Sequence, residues 1–258
     1  MDPKIVSDKL ESKINPWVIF LIVGLVISFQ TFLYFFANEE VSNQIISIVS
    51  IINPLAATFA CFVVARRYLS SHTFGKAYLL LSCGYLSVTI AEILYLIYDI
   101  ILQIDPYPSI ADVFFFALYP FVLAHLIIIT HFFKPKVYLR EFLWMVLIPI
   151  SVVSSYITLS FEQLQEANFD FYYGLIFAVE PAVILPFAIL GAKIFRGGVL
   201  GTPWFVLVIA IISLAIGDVW YYYLEIFEEF SLLHPVNMFW YAGYWIVVYS
   251  LYKHKKSI

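Results

Sequence analysis

The sequence predicts an all-α, polytopic membrane protein of eight transmembrane helices, arranged as two parallel four-helix repeats (4+4). Three observations carry this. First, 63% of the 258 residues are hydrophobic and 12% are charged, where soluble domains carry roughly 25% charged residues, and the mean hydropathy is +0.92. Composition therefore excludes a soluble Rossmann enzyme, a nucleic-acid binder and a disordered chain, and two cysteines exclude a disulfide scaffold. Second, apolar runs near the ~20 residues that cover ~30 Å of hydrocarbon recur between short polar breaks. Third, polar features of the first half return in the same order in the second.

Taken in order, the spans read Pro16–Phe36, Val41–Val64, Ala77–Leu102, Ile110–Phe133, Phe142–Leu159, Phe171–Ile194, Thr202–Ile226 and Val236–Tyr252. The first is a retained helix and not a signal peptide: it is long, its flank mixes acids with bases, and no small-residue cleavage site follows Phe36. Asn38-Glu39-Glu40 separates it from the second, which carries Pro54 and stops at Arg66-Arg67. The third begins after Lys76 and contains Glu92; the stretch from Gln103 to Ser109 separates it from the fourth, which ends before Lys134. The fifth is among the shortest. The sixth carries Pro181 and ends near Lys193 and Arg196, the seventh contains Asp218, and the eighth ends in Lys253, Lys255 and Lys256.

The loops set the orientation. Lys4, Lys9 and Lys13, Arg66, Arg67 and Lys76, Lys134, Lys136 and Arg140, Lys193 and Arg196, and the three terminal lysines place all 14 basic residues on one side of the eight-span arrangement. By the positive-inside rule that side is cytoplasmic, with both termini, in a multi-pass cell-membrane protein. Of the 18 acids only Asp2, Asp8, Glu11 and Glu141 share it. The basic face requires no function beyond orientation and contact with anionic lipid.

Self-comparison pairs the halves at an offset of roughly 126 residues. Asn53-Pro54 aligns with Glu180-Pro181, Glu92 to Tyr95 with Asp218 to Tyr221, Ala111-Asp112 with Val236-Asn237, and Tyr119 with Tyr244. An even number of spans per repeat relates the halves by an axis along the membrane normal, with boundaries near Met1–Lys136 and Val137–Ile258 in a single membrane domain.

Within the spans the informative residues are acids. An intramembrane Asp costs about 2.5 kcal/mol or more on insertion scales, so Glu92, Asp112, Glu180 and Asp218 are expected to face the bundle interior. No base lies at their depth. One reading is structural, with the acids hydrogen-bonded to partners such as Asn53 or Asn237. The other is an outward-facing acidic and aromatic pocket for a cation or small ligand, to which Tyr95, Tyr119, Trp220 and Tyr244 also contribute. Tyr222 and Tyr223 are assigned to the interfacial belt. Pro54 and Pro181 interrupt the backbone ladder at paired places and are candidate hinges. Cys61 and Cys83 read as packing residues. No phosphate loop, metal-type spacing or nucleophile elbow is present, and His125 and His131 share one span, so no cofactor, haem or metal is expected.

The string Asp105-Pro-Tyr-Pro-Ser-Ile-Ala-Asp112, followed by Phe115 and Tyr119-Pro120, resembles the Pro-Ser-x-Ala-Asp string of multi-helix membrane sensory modules that precede diguanylate cyclase, phosphodiesterase or histidine kinase domains. Asp218 to Tyr221 and Tyr241 to Tyr244 are similar to the late helices of those modules. The resemblance implies a non-enzymatic, ligand-responsive bundle. Only six residues follow the last span, so any signal is expected to pass to a separate cytoplasmic or membrane partner, and Asn237 departs from the acid that Asp112 supplies. The alternatives are a small secondary transporter or ion-coupled permease, for which parallel repeats and buried acids are equally suited, and an intramembrane lipid-modifying enzyme.

Overall fold

A computed structural model describes residues 14–36, 38–134, 136–164, 166–195, 201–227 and 231–256. Within them the chain is helical: α1 (Pro16–Phe36), α2 (Glu39–Arg67), α3 (His72–Leu96, continued by a π-helical turn Ile97–Leu102), α4 (Ile110–Phe133), α5 (Leu139–Leu164), α6 (Phe169–Phe195), α7 (Gly201–Phe227) and α8 (Asn237–Lys256). The helices α1 to α7 are long and apolar enough to cross a membrane. In α8, tryptophan and tyrosine replace aliphatic residues and the last turn is basic, which lowers its hydropathy below that of the others.

Most helices run past their apolar runs because polar caps start them. Asn38 Oδ1 accepts from the Val41 amide at 2.8 Å, and Ser71 Oγ accepts from that of Phe74 at 3.3 Å. At α4 the capping is reciprocal: Ser109 Oγ accepts from the Ala111 amide at 3.1 Å, and the Ser109 amide donates to Asp112 Oδ2 at 2.6 Å. Gln103, left-handed at φ 54°, ends the π turn. The fifth helix is not short: its 26 residues exceed the apolar core read from sequence at both ends. Helices α2 and α6 continue through Pro54 and Pro181, and each proline leaves the carbonyl four residues earlier, at Ser50 and Phe177, without its ladder partner.

Six helices close into a ring in the order α2, α3, α4, α6, α7, α8 and back to α2. The two outer helices take unlike places. α1 packs on α8, in the other half of the chain, whereas α5 packs mainly on α6, within its own. Near the basic ends the ring is filled by Trp204, Tyr78, Leu81, Leu126, Ile129 and His125, all buried. Trp204 stacks on His125 with ring centres 5.8 Å apart and meets Phe195 at 4.8 Å. The hydroxyls of Tyr68 and Tyr78 each lie 3.1 Å from His254 Nε2, which ties the end of α8 to the start of α3.

At the same end Glu141, with only 4% of its side chain exposed, holds Lys134 and, at 2.8 Å, Lys193. Its Oε2 accepts from the Tyr138 amide at 3.2 Å. The carboxylate thus joins α4, α5 and α6. Replacing it with alanine leaves two cations without a partner, but both reach solvent, so the expected loss is about 1–2 kcal/mol, below the cost of breaking a fully buried pair. Denaturant unfolding in detergent measures it, with Glu141→Gln expected between the two.

Candidate functional site

The opposite half of the ring is not filled. A cavity of about 160 Å³ lies there, lined by residues of α2, α3, α4, α6, α7 and α8. Its acids are Glu92 on α3, Asp112 in the first turn of α4 and Asp218 near the end of α7. Its aromatic wall comprises Tyr95, Phe115, Tyr119, Tyr173, Phe177, Tyr221, Tyr222, Trp240, Tyr241 and Tyr244, and Ser50, Asn237 and Leu232 complete the polar and loop contacts. Among the described residues, no lysine, arginine or histidine lines it.

The three acids are held differently. Asp218 is saturated: the Tyr119 hydroxyl donates to Oδ2 at 2.6 Å, and Trp240 Nε1 donates to Oδ1 at 2.9 Å. Gly217 permits this, since a Cβ there would lie 2.5 Å from Trp240 Nε1. Asp112, 4% exposed, uses Oδ2 to cap its own helix, while Oδ1 is buried without a hydrogen-bond partner. The Tyr173 side chain interacts with the same carboxyl group by hydrogen bonding and electrostatically. Glu92 receives no hydrogen bond or ion pair from the described residues, and Tyr241 and Tyr244 lie close enough to interact with it electrostatically. Asn237 donates its amide to the Leu232 carbonyl, fixing the loop before α8.

Ring contacts join the wall across helices. Tyr95 meets Phe115 at 5.3 Å, Phe177 meets Tyr222 at 4.3 Å, and Tyr221 meets Trp240 at 5.7 Å. Around the mouth, the Tyr107 hydroxyl donates to Asp170 Oδ1 at 2.9 Å, and Gln30 Nε2 donates to the Leu233 carbonyl at 2.7 Å. The first tie joins the α3–α4 loop to α6, and the second joins α1 to the α7–α8 loop.

Of the residues singled out from sequence, Glu92, Tyr95, Asp112, Tyr119, Asp218, Asn237 and Tyr244 come together in the cavity wall. Three do not. Glu180 stands beside Pro181, which borders a smaller adjoining cavity of about 30 Å³ with Tyr119 and Asp218; Glu180 Oε2 is buried without a partner. Asn53 points elsewhere: its Oδ1 accepts from Trp245 Nε1 at 3.0 Å. Trp220 lies against His234 and Phe239, at 5.4 and 5.6 Å, outside the lining. Tyr222 is corrected from the interfacial belt to the wall, where it is 6% exposed, whereas Tyr223 is 45% exposed.

Sequence reasoning missed Tyr173, Phe177 and Ser50 as lining residues. Ser50 and Phe177 had a signal: they stand four residues before the paired prolines. Positions aligned between the halves also enter the cavity in pairs, namely Glu92 with Asp218, Tyr95 with Tyr221, Asp112 with Asn237, and Tyr119 with Tyr244. Compared with known protein families, curated proteins and solved structures, the chain matches none.

Proposed function

We propose that this chain is an eight-span membrane protein of sensor-module type, with both termini cytoplasmic, that receives a small ligand or cation in the cavity from the outer side. One observation carries the reading: three carboxyl groups share an aromatic cavity with no base among the described residues of its lining. A buried site of that charge and shape favours a positively charged or donor-rich occupant. The described basic residues lie at the other end of the bundle, which supports the outward orientation. The pairwise recurrence of lining positions and the ring order, with α2 on α8 matching α6 on α4, support a 4+4 duplication with a rotation axis through the cavity.

The packed inner half favours a receptor over a conduit. Trp204, Tyr78, Leu126 and His125 fill the ring between the cavity and the basic end, so an occupant leaves by the mouth through which it came. The transporter alternative draws on one feature, the paired prolines, which supply two unladdered carbonyls and a symmetric place to bend. Passage of a signal to a separate partner would use the basic end, where His254 couples α8 to the α2–α3 turn.

The test is a thermal-unfolding screen of the full chain in detergent against inorganic cations, small amines and hydroxylated compounds. At least one class is expected to raise Tm by several degrees in the native protein, and Glu92→Gln is expected to abolish that shift while retaining the fold. Flux of the same compound into proteoliposomes is expected to be absent. A screen with no stabilising compound removes the receptor reading, and compound-dependent flux replaces it with transport.

A further inference from the structure

We infer that the cavity is a binding site for a small linear aliphatic diamine, one ammonium held by Glu92 and the other by Asp112, with the methylene chain against the aromatic wall. This rests on the reading above and names the chemistry of the occupant.

The unused hydrogen-bonding capacity of the wall points to a donor. Three donors of the wall are engaged, Tyr119 and Trp240 on Asp218 and the Asn237 amide on the Leu232 carbonyl, and the remaining tyrosine hydroxyls can accept from a cationic donor as well as donate. What remains open is acceptor capacity. Asp112 lines the cavity, and its Oδ1 is buried with no geometric hydrogen bond, the Tyr173 side chain being the neighbour that interacts with the carboxyl group. Glu92 receives no hydrogen bond or ion pair from the described residues. The carbonyls of Ser50 and Phe177, both lining residues, have lost their helical donors to Pro54 and Pro181. A buried carboxylate left this way is costly unless a cation completes it.

Spacing then decides between an inorganic ion and an organic one. Helices α3 and α4 run antiparallel, and the Tyr95–Phe115 ring pair sets their register. Glu92 lies three residues inward of Tyr95 and Asp112 three residues outward of Phe115, which separates the two carboxyl positions by ~9 Å along the helix axes at 1.5 Å rise per residue. A divalent ion needs its oxygens within ~2.6 Å, so it cannot use both. Consistently, no three acidic, histidine or cysteine side chains converge as a metal site among the described residues. The axial ~9 Å less a ~2.8 Å charge-assisted hydrogen bond at each end leaves roughly 3–4 Å between the two nitrogens, and the sideways offset of the two helices lengthens this, so chains of about two to five methylenes bridge the acids. Between the two acids lie Tyr95 and Phe115, apolar rings suited to the methylenes and, at their faces, to the ammonium ends.

The experiment uses the full chain in detergent and reads dissociation constants from calorimetry or thermal shift. The probes are diaminoethane, diaminopropane, diaminobutane and diaminopentane, the monoamines ethylamine, propylamine, butylamine and pentylamine, sodium, potassium and magnesium ions, and neutral diols of matching length. The proposal expects at least one diamine to bind at least about tenfold more tightly than the monoamine of equal length, and Glu92→Gln and Asp112→Asn each to weaken it about tenfold or more. The length series in the native protein stands independently of whether either variant folds. Equal binding of monoamines and diamines, equal stabilisation by the inorganic ions, or undiminished binding in both folded variants overturns the proposal. Diols or inorganic ions that bind while no amine does overturn the diamine and leave the receptor reading intact. If nothing on the wider screen binds, both fall.

Discussion

Trp204→Ala is expected to lower the unfolding free energy in detergent by about 3–5 kcal/mol, the range for removing a buried tryptophan. The side chain is 2% exposed and lies between His125 and Phe195, with Gly191 beneath it. A Cβ on Gly191 would stand 2.3 Å from the indole nitrogen, so the backbone of α6 approaches too closely to relax into the space left behind. In a bundle whose outer faces meet lipid, such contacts between helices are the main cohesive term. Trp204→Phe provides the contrast. Trp204 Nε1 has no hydrogen-bond partner, so phenylalanine loses volume without losing a bond, and the expected cost is under about 1.5 kcal/mol. Equal losses for both variants would mean that the indole nitrogen, rather than the ring volume, stabilises the inner half.

Asp218→Ala is expected to cost about 2–4 kcal/mol, because it strands two donors at once. Each buried donor left unpaired costs about 1–3 kcal/mol, and the adjoining cavity lets water offset part of this. The effect is testable by a double-mutant cycle. With Tyr119→Phe already in place, only the Trp240 bond remains to be lost, so the cost of Asp218→Ala should fall by about 1 kcal/mol or more. Asp218→Asn should be intermediate: its amide carbonyl still accepts from one donor while its NH₂ opposes the other. Additive costs across the cycle would show that the tyrosine and the aspartate do not act on each other.

The helices were legible because their signals are local. Pro16–Phe36 and Ile110–Phe133 follow from apolar runs between polar residues, and the observed ends coincide with them. Ends elsewhere shifted outward where a cap such as Asn38 or Ser71 lies beyond the apolar run. Much of the cavity was legible as well, since an uncompensated acid has few places to go in a bilayer. Glu92, Asp112 and Asp218 all face it. What sequence could not supply is the partner across a helix interface. Trp220 stands two residues from Asp218 in the chain, yet Trp240 from the neighbouring helix bonds to it. Likewise Asn53 and Glu180 stand outside the lining, because neither position alone reports which face its helix turns to the centre.

The seat of α1 on α8 has a consequence for biogenesis. The amide of Asn15 donates to the Tyr249 hydroxyl at 2.7 Å across 234 positions, and α1 makes its helix-to-helix packing with α8. Translation delivers the N-terminal segment first. α1 therefore cannot take its seat until α8 has been made, and the face it will bury stays against lipid for that interval.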